Sequence, residues 1–250
     1  MNANAFAQLA VFDLKQYSRN MMSLFWVLAY PLLMLFLFGT MYGNEPTPLF
    51  GGHGFIDTYI PALCSLNVLS VAVFTLNIQM ASYRENGVLR RFKAAPVRPW
   101  MVLGSNAVQG VVLVILGSLE IVAAGMLVYD VEAGAKEIVL LLAFLLLGCL
   151  CFFSLGFALS GLGSGVKTSN GIAMGVFFPM MFLSGVAFPI EVMPDILQAI
   201  SKFLPMTYMV DLLQSVWYGE EVSQSLGDIA VIAGFGIVCA GLAVRLFRWE

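Results

Sequence analysis

The chain has 250 residues, 60% of them hydrophobic and 11% charged, with a mean hydropathy of +0.90 and a formal net charge of −3. So little polar surface cannot cover a water-soluble domain, and the bilayer has to be the solvent. Acids and bases are sorted into different loops, so the net charge means little as an average, and nucleic acid is not an expected partner. Apolar segments recur from end to end, so one integral unit over residues 1–250 is expected, with no soluble domain beside it.

Residues 5–20 interleave Gln8, Asp13, Lys15, Gln16 and Arg19 with Phe6, Leu9, Phe12 and Leu14. That pattern predicts a helix lying flat in the membrane interface. The first long apolar run begins after Asn20 and contains Trp26, Tyr30 and Pro31, unlike the short core and small-residue cleavage site of a signal peptide. It reads as a crossing over 21–43. Further crossings are expected at 58–82, 100–129, 138–160, 169–189 and 226–247, since a helix needs about 20 apolar residues to span the hydrocarbon core. The last is short between charges, and Arg245 can snorkel at its end.

Polar residues inside these runs are few. Asn67, Thr75, Asn77 and Gln79 in the second crossing form either a polar seam against another helix or a route for substrate. Glu120 sits about 30 Å up the third helix from Trp100. It either faces a polar contact at the outer end of a substrate path or marks the interface. Cys64, Cys149, Cys151 and Cys239 all fall within crossings and read as small apolar filler, not as disulfides or metal ligands. His53, in the loop FGGHGF, reads as a solvated histidine or as a group that tunes a pH response.

The connections carry the charge. Residues 83–100, YRENGVLRRFKAAPVRPW, hold five of the chain's twelve Lys and Arg: Arg84, Arg90, Arg91, Lys93 and Arg98. With six crossings both termini share a side. Lys15, Arg19, those five, Lys167, Arg245 and Arg248 fall on one face, ten in all, against Lys136 and Lys202 on the other. The bias predicts cytoplasmic termini and a cytoplasmic hinge. An acid early in the hinge and bases later suit a helix dipole, and Val88, Leu89 and Phe92 give it an apolar side. Such a segment docks on a protein or binds anionic lipid heads at about 1 kcal/mol per base.

The glycine-rich stretch GLGSGVKTSNG at 161–171 invites comparison with a phosphate-binding loop. That motif needs Gly directly before Lys, but Val166 precedes Lys167, so the stretch reads as a tight turn between crossings four and five. No site for ATP, a metal or catalysis is visible in the chain. Residues 189–228 contain helical periodicity interrupted by Pro194 and Pro205, which predicts two short outer helices within 195–218, too short to span.

Residues 82–110, SYRENGVLRRFKAAPVRPWMVLGSNAVQG, resemble the cytoplasmic signature of the ABC-2 type exporter permeases: an acid, a glycine, a basic amphipathic stretch, then Ala-Pro. Residues 183–214, with Ser184-Gly185, Phe188-Pro189, Pro194 and Pro205-Met206-Thr207-Tyr208, resemble that family's second signature. Gln214 departs from the basic residue many members carry there. The resemblance covers about residues 5–249 and implies an all-α integral membrane fold. Its parts are six transmembrane helices, an N-terminal interfacial helix, a cytoplasmic coupling helix at 85–95 and two short re-entrant outer helices.

The same resemblance implies a bacterial or archaeal plasma-membrane exporter that works as a dimer, more in keeping with two identical copies than with two different ones. A separate cytoplasmic ATPase would hold the ATP and Mg, and this chain would bind no cofactor. Glu85, Gly87, Leu89, Arg90, Arg91, Phe92 and Pro96 would couple to that ATPase. Asn67, Thr75, Asn77, Glu120, Pro189, Pro205 and Tyr208 are candidates for the translocation path or the dimer interface. An amphipathic small molecule such as an antibiotic is the expected cargo, with polysaccharides and lipid-linked glycans as the alternative. An ion-coupled secondary transporter would need a mid-bilayer acid pair and repeat symmetry, which the sequence does not display.

Overall fold

The computed structural model describes residues 3–19, 21–47, 52–89, 99–188, 190 and 193–246. Helix α1 (Ala3–Tyr17) precedes α2 (Phe25–Tyr42), α3 (Phe55–Glu85), α4 (Pro99–Val128) and α5 (Ala135–Ser160). Then come α6 (Val166–Leu183), the short α7 (Asp195–Ser201) and α8 (Pro205–Trp217), and α9 (Leu226–Leu246). Among the described residues, α2, α3, α4, α5 and α9 are long and apolar enough to cross a membrane. The chain is therefore an all-α, multi-pass membrane bundle.

The sixth expected crossing, α6, falls short of that standard for a local reason. It opens on Val166, Lys167, Thr168, Ser169 and Asn170, so its apolar part begins near Gly171. From there to Leu183 it rises only about 20 Å, against a hydrocarbon core of about 30 Å.

Helix α3 is the centre of the molecule. Every residue from Tyr59 to Asn77 is buried, because α4, α5 and α8 pack around it. Protein neighbours on all sides let it carry polar groups that a lipid-facing helix could not. Asn67 donates to the Val114 carbonyl of α4 at 3.3 Å, and Asn77 donates to the Ser169 carbonyl of α6 at 3.1 Å. Helix α5 comes so close that a Cβ on Gly156 would collide with the Ala72 backbone of α3. On the other flank of α5, a Cβ on Gly236 of α9 would lie 2.8 Å from the Cys151 sulfur. All four cysteines are buried thiols, in keeping with their reading as filler.

Two helices widen into π-turns, Phe25–Ala29 in α2 and Val71–Leu76 in α3. In the first, Pro31 has no N–H to close an ordinary bond, and Tyr30 reaches back five residues to the Phe25 carbonyl. In the second, Asn77 reaches back to Ala72. The two turns bring Trp26 and Phe74 into a near-parallel stack at 5.1 Å, and Phe177 of α6 closes the cluster at 5.9 and 5.0 Å.

The two short helices expected within 195–218 are present. Helix α8 is strongly amphipathic and wedges Met206, Met209, Val210, Leu212, Leu213 and Val216 among α3, α5 and α9. Gln214 donates to the Thr58 carbonyl at 3.0 Å, and the Tyr218 hydroxyl donates to Thr58 Oγ1 at 2.8 Å. His53 stacks on Tyr218 at 3.8 Å and is half-buried, which corrects its reading as a solvated loop residue. At the other end of the bundle, α1, the end of α3 and the 161–165 turn meet, and the Leu246 backbone lies against Gly161.

Replacing Gly156 with Leu forces α5 away from α3. We expect a loss of about 1–3 kcal/mol, read as a lower thermal unfolding midpoint of the purified chain in detergent.

Candidate functional site

The hinge end is organised by the last turn of α3. Three consecutive side chains, Tyr83, Arg84 and Glu85, each hold a different part of the chain. The Tyr83 hydroxyl donates to Asp13 of α1 and accepts from Gln79 at 3.0 Å. Arg84 donates to the carbonyls of Ser160 and Gly163, both at 2.6 Å. The Glu85 carboxylate accepts the backbone N–H of Val166 at 2.7 Å.

Asp13 is only 1% exposed. Besides Tyr83 it accepts from Ser105 Oγ at 2.8 Å and from Asn106 Nδ2 at 3.3 Å, both on α4. One carboxylate thus pins α1 to α3 and α4. Burial lifts the Asp13 carboxyl above the usual carboxylate range, and the hydrogen bonds from Tyr83 and Ser105 pull back part of that rise. On α1, Phe12 is 55% exposed while Ala10, Asp13 and Tyr17 face the protein. The signal for Asp13 was its spacing, three residues after Ala10 and four before Tyr17, on one helical stripe.

Glu85 ends α3; it does not begin the coupling helix expected from 85. Its acid meets a helix N-terminus all the same, that of α6. Gly87 then turns the chain with a φ of +67°, a conformation that favours glycine. Leu89, expected on the docking face, is 1% exposed and packs with Met80, Tyr83 and Val102, so it anchors the hinge to its own chain. Arg90, Arg91, Phe92 and Pro96 lie outside the described residues, as does Pro189.

The path candidates divide. Asn67 and Asn77 are sealed between helices and serve as interhelical ties. Thr75 lines a cavity of about 380 Å³ bounded by Gln16 and Arg19, by Phe74, Ile78 and Gln79 of α3, and by Val166 at the start of α6. Its lining mixes polar and apolar side chains. Glu120 is half-buried on α4, Pro205 opens α8 from a buried position, and Tyr208 donates to the Lys202 carbonyl at 2.7 Å.

The family model for ABC-2 type transporters matches residues 4–218, which takes in α1, the hinge and both short helices. The chain belongs to the ABC-2 type transporter family. It is the membrane permease component of an ABC transporter system. The permease is 25% identical over 202 residues to the transport permease YvfS of Bacillus subtilis, covering 81% of each chain. It is also 25% identical over 230 residues to the daunorubicin resistance ABC transporter permease protein DrrB1 of Streptomyces coeruleorubidus, covering 87% of this chain and 77% of that one. To nodulation protein J of Rhizobium leguminosarum it is 30% identical over 104 residues, 40% of each chain.

Substituting Asp13 with Ala in the permease removes the acceptor shared by Tyr83, Ser105 and Asn106, at an expected cost of about 1–3 kcal/mol. Because the folded carboxyl titrates above its unfolded value of about 4, it favours the folded chain in acid and loses that contribution as pH rises through the folded value. Thermal unfolding midpoints measured across the acid range should show this fall in the native chain and lose it in Asp13→Asn.

Proposed function

We propose that the permease is one half of a homodimeric exporter that moves an amphipathic small molecule out of the cytoplasm, driven by a separate ATPase docked on the hinge segment 86–95, just beyond Glu85. The observation that carries this reading is the join at the end of α3. A push delivered just beyond Glu85 reaches α1 and α4 through Tyr83 and Asp13, α5 through Arg84, and α6 through Glu85 itself. A permease driven by a separate ATPase would receive work at such a join.

The meeting of α1, the hinge, the 161–165 turn and Leu246 at one end supports α6 as a sixth passage through the bilayer. An even number of passages with ten bases on the hinge side and two on the other favours cytoplasmic termini. The mixed polar and apolar lining of the cavity beside Thr75 and Arg19 suits a cargo with an apolar body and a polar group. The resistance named for DrrB1 is consistent with a cargo of that kind.

The test is ATP-dependent export by the permease reconstituted with its ATPase. Changing Arg91 and Phe92 together to Ala should cut both ATPase recruitment and dye export at least fivefold, with the permease still present at its normal level in the membrane. Undiminished recruitment and export would remove the hinge as the docking element.

A further inference from the structure

We infer that Glu85 is a positioning residue of the transport cycle, keeping α6 in step with α3 through the backbone amide of Val166. The inference rests on the exporter reading and adds a specific linkage to it.

The glycine-rich turn at 161–165 resembles a phosphate loop without its lysine in place, and the structure shows what occupies the corresponding position. The anion at the N-terminus of α6 is a carboxylate from the same chain, Glu85, at 2.7 Å from the Val166 nitrogen. Gly165 has an extended backbone, with a φ of −172°, which any residue adopts. Its lack of a side chain therefore answers to space. A Cβ there would lie 2.9 Å from Glu85 Oε2, so the carboxylate would have to shift to admit it.

Arg84, the preceding residue, takes the opposite side of the same turn. It donates to the Ser160 carbonyl at the C-terminus of α5 and to the Gly163 carbonyl inside the turn. Two neighbouring residues of opposite charge thus meet two helix ends of opposite partial charge. The turn is gripped at both ends by the last residues of α3.

The grip matters most to α6, which packs chiefly on the hinge-side half of α3 and only thinly on α5 and α8. Inside the bundle Asn77 on Ser169 and the Trp26, Phe74 and Phe177 cluster locate it laterally. At its first residue, the Glu85 contact ties it to the segment that leads into the hinge. The Glu85 side chain is exposed, so this hydrogen bond can be released and remade without opening the core.

Two measurements test the proposal. In the full chain reconstituted into nanodiscs, hydrogen exchange of the peptide covering 161–169 should rise at least tenfold in Glu85→Ala. In Glu85→Gln, whose amide oxygen has the same reach, it should stay within twofold of the native rate. Gly165→Ala, which displaces the carboxylate by a different route, should raise it like Glu85→Ala. With the ATPase bound, export per ATP hydrolysed should drop at least threefold in each alanine variant, ATPase recruitment should be unchanged, and the double variant should be no worse than either single one.

Unchanged exchange in Glu85→Ala overturns the grip. Additive losses in the double variant also overturn it, because they are what a direct contact of Glu85 with the ATPase produces. A native chain that shows the exchange effects yet exports nothing with ATP overturns the exporter reading, and the transport role of Glu85 with it.

Discussion

A helix sealed by protein on every side has to end somewhere, and the polar groups at its end have to be satisfied there. Helix α3 is buried without a break from Tyr59 to Asn77, and its last turn brings a phenol, a guanidinium and a carboxylate to the rim of the bundle. Leaving a buried polar group unpaired costs kilocalories, so the buried Tyr83 needs a partner within reach, while Arg84 and the exposed Glu85 meet theirs nearer the surface. Three different elements supply them: a carboxylate of α1, two carbonyls around the end of α5, and the first amide of α6. The rest of the hinge end is arranged by that requirement.

Its consequence is that parts distant in the chain become one mechanical neighbourhood. Asp13 lies 92 residues from Ser105, and Glu85 lies 81 residues from Val166. The aromatic cluster of Trp26, Phe74 and Phe177 repeats the pattern deeper in the bundle, joining α2, α3 and α6 where two π-turns widen the backbone. Close-packed interfaces of this kind shift as units, because they hold few intermediate arrangements. At the far end, His53 on Tyr218 and Tyr218 on Thr58 tie a loop to α3 and α8 in the same way.

Several of these residues were visible in the sequence under another meaning. Asp13 stood among the polar positions of an amphipathic helix; an acid on the protein-facing stripe becomes intelligible only beside Tyr83, Ser105 and Asn106. Glu85 stood at the start of a helix and is found at the end of one, although the principle that placed it, an acid at a helix N-terminus, holds for α6. Leu89 read as a docking residue because apolar periodicity reports a face without reporting what covers it. The glycines at 161–165 read as a plain turn, and their spacing answers to Leu246, Ser169 and Glu85, all remote in sequence or beyond the turn.

What the sequence determined by itself was the solvent, the long apolar helices, the two short helices after Pro194 and Pro205, and the family signatures in the hinge and before α8. Those are properties of composition and local periodicity, which neighbouring residues carry along the chain. The tertiary structure decided which helix is central, why α6 begins as polar as it does, and which carboxylate meets which amide. Hydropathy assigns a segment to the membrane but says nothing of its rotation or its neighbours. Partners 70 to 92 residues apart are chosen by how whole helices pack, and only the packed bundle contains that information.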